Sequence, residues 1–166
     1  MEHGPGVTLA VLSRAVGLSP PALLKRFGSK ERLLFRALLP RRPPRWAHTL
    51  AQPPGPDPKA ELARVLVELC EGFEQVGPAF AALRMSAVDV SEVFPRDQPG
   101  PSVLVRRQLT DWLERAGATG DVGCRADAAV GAAEARGFLR WVSPQLVDPS
   151  TDAAWAEALA ALCLGG

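Results

Sequence analysis

The chain of 166 residues lacks several patterns that mark particular classes of protein. It contains no tyrosine and only two histidines, His3 and His48, neither of which has an evident partner for nucleophilic catalysis. Glycine-rich phosphate loops, metal-ligand spacings and the GxSxG motif are all missing from the sequence. The sequence therefore predicts no catalytic residues, no metal site and no cofactor.

Cysteines and long apolar segments are also scarce. The three cysteines, Cys70, Cys124 and Cys163, are odd in number and widely spaced, which favours buried free thiols in a reducing compartment. No apolar run approaches the roughly 18 residues that a membrane span needs. Arg14 interrupts the region where a signal peptide would have its apolar core. We therefore predict a cytoplasmic protein without a membrane partner.

Charge is distributed unevenly along the chain, although the formal net charge is only +1. Residues 1–50 contain nine Lys/Arg and two Asp/Glu, a balance of +7, whereas residues 51–166 have a balance of −6. A basic end joined to an acidic body indicates a part that binds a polyanion such as nucleic acid. On charge alone, a chance cluster on a solvated surface is the alternative.

Apolar residues recur at helical rather than alternating spacing, so the predicted fold class is all-α. Three short helices are expected between Thr8 and Pro40, with Thr8, Ser19 and Ser29 as N-caps. Residues 40–58 contain seven prolines and form the predicted connector, with a helical turn or two at 46–50. The body is predicted to form five helices, at about 58–76, 78–94, 101–116, 124–142 and 151–164.

The segment "LSPPALLKRF" has the features of the second helix of a helix-turn-helix. Ser19 is placed to cap it, and the two prolines that follow cost little because the first N–H groups of a helix are unpaired anyway. Leu23 and Phe27 are four residues apart and are expected to face inward. Lys25 and Arg26 are expected to remain exposed, where they could reach phosphates or guanine edges.

The stretch "VTLAVLSRAVGLSPPALLKRFGSKERLLFRALL", residues 7–39, resembles the DNA-binding region of the TetR family of bacterial transcriptional regulators. The positions that carry the resemblance are Thr8, Gly17, Leu18, Ser19, Ala22, Leu23, Leu24, Lys25, Arg26, Phe27, Ser29, Lys30, Glu31 and Leu33. The remainder of the chain fits the family by helical layout and length. The resemblance implies a helix-turn-helix DNA-binding domain at residues 1–45 and a helical effector-binding and dimerisation domain at residues 46–166.

The resemblance also implies which residues bind DNA, namely Thr8, Ser19, Ala22, Leu24, Lys25, Arg26 and Lys30. Ala22, Lys25 and Arg26 would face the major groove, while Thr8 and Lys30 would hold phosphates. Leu24 stands where the family usually has tyrosine, so a hydroxyl contact is replaced by an apolar one. The family has a further helix before this region, where the sequence reads "MEHGPG". We expect either a start upstream or a truncated DNA-binding head.

For the body, the resemblance implies an effector pocket and a homodimer built on the last two helices. The residues expected to line the pocket are Phe73, Phe80, Met85 and Trp112. The residues expected at the dimer interface are Ala129, Val130, Ala133, Gly137, Trp141, Trp155, Leu159 and Leu162. For both sets, packing inside a single subunit is the alternative.

The predicted function is a TetR-like transcriptional regulator, a repressor that a small-molecule effector releases from a double-stranded DNA operator. A ligand-binding or scaffold homodimer that has lost DNA binding is the alternative, motivated by the expected absence of the first helix. A small all-α enzyme is a third hypothesis.

Overall fold

A computed structural model describes residues 8–38, 44–85 and 101–165, and most of these residues lie in helices. This confirms the predicted all-α class, since these ranges contain no strand. None of the helices described is both long enough and apolar enough to cross a membrane. The helices are α1 (Leu9–Val16), α2 (Pro20–Phe27), α3 (Lys30–Leu38), α4 (Arg45–Ala51), α5 (Pro58–Met85), α6 (Pro101–Arg115), α7 (Val122–Val142) and α8 (Asp152–Leu164), with 3-10 turns at Pro144–Leu146 and Pro149–Thr151.

The helices belong to two compact units. The first unit comprises residues 1–39 with 78–95, and the second comprises residues 40–77 with 96–166. The first therefore contains α1, α2 and α3, and the second contains α4, α6, α7, α8 and the larger part of α5. The functional division into residues 1–45 and 46–166 concerns roles rather than packing, and it stays a prediction.

Helix α5 corrects the prediction that Gly77 and Pro78 separate two helices. A single helix runs from Pro58 to Met85, with Pro78 inside it. A proline removes one N–H from the helical ladder, here the one that would bond the Glu74 carbonyl, and the neighbouring bonds remain available. Burial also favours an uninterrupted helix at this point, because Gly77 lies under the ring of Trp141. The rest of the helix predicted at 78–94 lies outside the described residues.

The core of the second unit forms where α5, α6, α7 and α8 bury their apolar faces. As the spacing predicts, Leu62, Val65, Leu66 and Leu69 of α5 are at most 2% exposed. Burying a side chain of this kind stabilises the fold by roughly 1.5–3 kcal/mol. The core residues contributed by the other three helices are Val105, Leu109, Trp112, Leu113, Ala126, Ala129, Val130, Ala133, Ala156, Ala160 and Cys163.

Helix α7 approaches α5 closely because position 137 is a glycine. A methyl group there would collide with the Cys70 carbonyl oxygen and would lie 2.9 Å from Phe73 Cβ and 3.0 Å from Glu74 N. Only a residue without a side chain lets the two backbones approach this closely. Gly137 therefore sets the distance between α7 and α5 inside the second unit.

A buried carboxylate joins three helices of the second unit. Asp152 is 7% exposed; its Oδ1 accepts a hydrogen bond from Arg136 Nε and its Oδ2 one from Arg140 Nη1, both at 2.7 Å. Arg140 Nη2 also lies 2.9 Å from Glu74 Oε2 on α5, and Arg136 Nη2 donates to Thr151 Oγ1 at 2.6 Å. Buried charges are tolerated when each has an opposite charge and further hydrogen bonds. These contacts satisfy that condition for Asp152.

The three cysteines are free, but they differ in exposure. Cys70 and Cys163 are buried, as predicted, and burial raises the pKa of both thiols. The Arg140 guanidinium, 3.7 Å from the Cys70 sulfur, opposes that rise. Cys124 is exposed, so the prediction that it is buried is wrong. It lies in the first turn of α7, ahead of the buried stripe that begins at Ala126.

The Asp152 contacts predict a large difference between two Asp→Asn substitutions. Asp152→Asn leaves Arg136 without its carboxylate partner and Arg140 with only the partly exposed Glu74, so we expect the free energy of unfolding to fall by about 3 kcal/mol or more. Asp127→Asn is the matched control, because its ion pair with Arg106 is exposed, with side-chain exposures of 63% and 41%. Breaking that pair should cost less than about 1 kcal/mol. Urea unfolding measures both, and equal losses would contradict the prediction.

Candidate nucleic-acid interface

The first unit begins with a short helix that is capped at both ends. Thr8 Oγ1 accepts a hydrogen bond from Val11 N–H at 3.3 Å. At the other end Gly17 has φ 69° and ψ 23°, and its N–H donates to the Ser13 carbonyl. Glycine adopts this left-handed conformation without the strain that other residues incur. Both predicted caps of α1 are thereby confirmed, and three residues connect α1 to α2.

The start of α2 shows how two adjacent prolines are accommodated. Ser19 Oγ accepts from Ala22 N–H at 3.3 Å, and its carbonyl accepts from Leu23 N–H at 3.0 Å. Pro20 and Pro21, the first two helical residues, have no N–H to satisfy. The prediction of a Ser-capped helix is confirmed. The first four residues of α2 consequently have no N–H without a partner.

Helix α2 packs against α1 and α3 through one face. Leu23 is 2% exposed and Phe27 is partly buried, in agreement with the inward direction predicted from their spacing. On α1 the inward residue Ser13 is 7% exposed. This face orients α2 within the first unit and leaves its other face to solvent.

The outer face of α2 carries the residues predicted to contact DNA. At 100° per residue, Pro21 and Lys25 lie opposite the Leu23–Phe27 face, with Ala22 and Leu24 on either side of them. Leu24 is 40% exposed, Lys25 is exposed and Ala22 is partly buried. Arg26 is also exposed, and its guanidinium lies 5.7 Å from the centroid of the Phe27 ring.

The remaining two predicted phosphate contacts lie at helix N-termini. Thr8 is exposed and caps α1. Lys30 is the first residue of α3, directly after Ser29, whose Oγ accepts from Arg32 N–H at 3.1 Å. Lys30 is partly buried and interacts with another group of the protein. Helix N-termini attract anions, so both positions suit a phosphate.

The residues predicted to line an effector pocket are only partly described. Trp112 is fully buried on α6, and its indole N–H has no hydrogen-bond partner. Phe73 is partly buried on α5, and its Cβ lies next to Gly137. Phe80 and Met85 belong to α5, but their side chains lie outside the described part of the chain. The pocket stays a prediction.

The residues predicted at a dimer interface are not all accessible. Ala129, Val130 and Ala133 have no exposed surface in a single subunit, and Gly137 lies against α5. Their assignment to the interface is corrected, because they fill the core of their own subunit. Of the others, Trp141, Trp155 and Leu159 are partly buried and Leu162 is 67% exposed.

The opposite face of α7 presents the accessible apolar residues. Its small and apolar residues at helical spacing are Ala128, Gly131, Ala135, Phe138 and Val142, and the exposed ones at helical spacing on α8 are Ala154, Ala158 and Leu162; together we call these two sets the outer stripe. Phe138, Val142 and Leu162 are 50%, 51% and 67% exposed. A Cβ at Gly131 would meet no atom within 4 Å, so this side of α7 is open.

The sequence interpretation missed the polar group around Asp152. Arg136 and Arg140 are four residues apart on α7, and this spacing was the one available signal. Arg136 also lies over the ring of Trp155, 5.0 Å from its centroid, and Arg140 Nε is buried without a hydrogen-bond partner. Among the described residues, no group of His, Cys, Asp and Glu could hold a metal ion.

Comparison with known proteins does not identify the chain. No family model, no curated protein and no solved structure matches it. The assignment of a role to the first unit therefore depends on its own geometry and on the sequence resemblance described above.

The start of α2 predicts a measurable contribution from Ser19. Ser19→Ala removes the acceptor of the Ala22 N–H and should cost about 1 kcal/mol locally. Amide hydrogen exchange at Ala22 should then become about fivefold faster. Ser19→Asp, which keeps an acceptor oxygen at the cap, is the control and should retain protection. Unchanged exchange in Ser19→Ala would show that the cap contributes nothing.

Proposed function

We propose that the protein is a DNA-binding transcriptional regulator, a repressor released by a small-molecule effector. The observation that carries the proposal is the capped pair of helices α1 and α2, with Lys25 and Arg26 exposed on α2. In a helix-turn-helix, the second helix enters the major groove and the first crosses the backbone. The resemblance of residues 7–39 to the TetR family supports the same role.

The charge distribution supports DNA as the partner. The balance of +7 over residues 1–50 would attract phosphates, and neutralising them releases counterions. Lys25 and Arg26 would reach phosphates or guanine edges from α2, while Thr8 and Lys30 would hold the backbone on either side. The binding should therefore weaken as salt rises, with a slope set by the number of phosphates contacted.

A homodimer would place two such heads on one operator. The outer stripe of α7 and α8 is the surface we assign to it, because small residues allow close helix approach and Phe138 and Leu162 supply apolar area. Two α7–α8 pairs would form a four-helix bundle about a two-fold axis. Half-sites about 34–36 Å apart, or a multiple of one helical turn, would fit a dimer of this kind.

The effector would bind within the helices of the second unit. Trp112 supplies a buried N–H donor without a partner, which a hydrogen-bond acceptor on a ligand would satisfy. An effector that prefers one of two head spacings would shift the population towards it, and the repressor would leave its operator. Phe73, the aromatic residue of α5 whose side chain is described, is the second residue that we assign to this site.

A ligand-binding homodimer without DNA binding is the second candidate. It is favoured by the absence of free N–H groups at the start of α2, since a phosphate could not be held there by the backbone. The DNA-binding experiment distinguishes the two candidates directly.

The DNA-binding role is tested by selecting duplexes from a random pool and measuring affinity by fluorescence anisotropy at several salt concentrations. Lys25→Ala should weaken binding to the selected duplex by roughly tenfold, because a base or phosphate contact of this kind is worth about 1–3 kcal/mol. Arg26→Ala should weaken it as well. The salt slope should fall by about 1 wherever a phosphate contact is removed.

Arg64→Ala is the matched control for these two variants. Arg64 is an exposed arginine of α5 in the second unit, so its removal changes the net charge equally without touching α2. It should leave affinity nearly unchanged. If no duplex is enriched over random DNA, or if all three variants behave alike, the proposed role of α2 is wrong.

The dimer surface is tested with two Leu→Glu substitutions. Leu162→Glu puts a charge into the outer stripe and should convert the dimer to monomers in sedimentation velocity, since an unpaired charge in an apolar interface is strongly unfavourable. Leu104→Glu on α6 is the control, because this leucine is 45% exposed and lies outside the stripe. A wild-type chain that sediments as a monomer would contradict the assignment.

A further inference from the structure

The first five residues of α2, Pro20 to Leu24, present an unusual surface for a helix proposed to read DNA. Pro20, Pro21 and Leu24 are exposed, and Ala22 is partly buried on the flank of the same face. None of these side chains can donate or accept a hydrogen bond. The exposed charged residues of α2, Lys25 and Arg26, come only in the last turn.

The backbone of Pro20 to Leu23 adds no free hydrogen-bond donor. The two prolines lack an N–H, while those of Ala22 and Leu23 are bonded to Ser19 Oγ and to the Ser19 carbonyl. Any base contact made here must therefore be apolar. Of the groups that base pairs display in the major groove, the 5-methyl of thymine is the apolar one.

We infer that Leu24 reads a thymine methyl group, so that the DNA partner carries thymine opposite the first five residues of α2. Leu24 is the residue on this face with the largest apolar side chain, and 40% of it is exposed. Ala22, on the other flank of Pro21, is small enough to let the helix approach a second methyl. This inference rests on the proposed DNA-binding function and adds the chemistry of the site that is read.

Lys25 supplies the charged group of the proposed reading surface. It lies between Ala22 and Leu24 around the helix and one turn beyond Pro21, so its ammonium group would reach past the methyl contacts. Lysine offers a flexible point charge, which suits a phosphate or a guanine edge. The expected half-site therefore has thymine opposite the first five residues of α2, and a phosphate or guanine within reach of Lys25.

The inference is tested on the duplex selected with the wild-type protein. Each thymine is replaced in turn by uracil, a change that removes only the methyl group. At one or two positions in each half-site the dissociation constant should rise by about fourfold, the factor expected for one buried methyl-sized group. Thymines outside the protected region serve as the internal control and should show no change.

The variant Leu24→Ala assigns the effect to a residue. It should bind thymine and uracil duplexes about equally at the position that Leu24 reads, while the wild-type preference at other positions persists. Leu24→Ile keeps an apolar side chain and should retain the preference. Because Leu24 is not among the buried core residues, circular dichroism should show both variants folded.

The outcomes separate this inference from the proposed function. If no duplex is selected, DNA binding itself fails. If a duplex is bound but uracil never weakens binding of the wild-type protein, thymine reading is wrong while DNA binding stands. If uracil weakens binding equally in the wild-type protein and in Leu24→Ala, the methyl is read by another residue and the assignment to Leu24 is overturned.

Discussion

The second unit depends on the way in which Asp152 is held between Arg136 and Arg140. Each carboxylate oxygen accepts a hydrogen bond of 2.7 Å from one of these arginines. Arg140 also forms an ion pair with Glu74 of α5. A charge removed from water at the start of α8 would be costly alone, and it is stable here because its partners are already fixed on α7. The apolar packing supplies most of the stabilisation, but this group determines which turns of α5, α7 and α8 meet. The Arg106–Asp127 pair, by contrast, is exposed to solvent.

Close packing in the second unit also decides which surface remains for a partner. Gly137 leaves room for the α5 backbone, and the neighbouring alanines of the buried stripe on α7 are fully buried in the core. The face of α7 that remains accessible is the one carrying Phe138 and Val142. A helix rich in alanine has two faces that look alike in sequence, so the interior and the exterior were distinguishable only by packing. The proposed dimer surface therefore shifts by about half a helical turn from the one that the sequence suggests.

Local features of the fold were predictable from the sequence because their partners lie within a few residues. The caps at Thr8 and Ser19 and the left-handed Gly17 follow from interactions between residues three to five apart. Two expectations failed for the opposite reason. Pro78 did not end a helix, and the contacts of Asp152 with arginines 12 and 16 positions earlier lie too far apart in sequence to give a periodic signal. Within the candidate site, the exposure of Lys25 and Arg26 was predictable, whereas the hydrogen bonds of the Ala22 and Leu23 N–H groups depend on the backbone path at Ser19.

The two prolines of α2 have a further consequence, which concerns entropy rather than contacts. Their rings fix φ near the helical value before the helix forms, so the chain has fewer conformations to lose at this point. A helix that is ordered before it meets a partner loses less conformational freedom on association than one that must be ordered by it. The proline pair would thus offset part of what α2 lacks in hydrogen-bond donors: the proposed reading surface makes weaker contacts, but it is already in the shape in which it would make them.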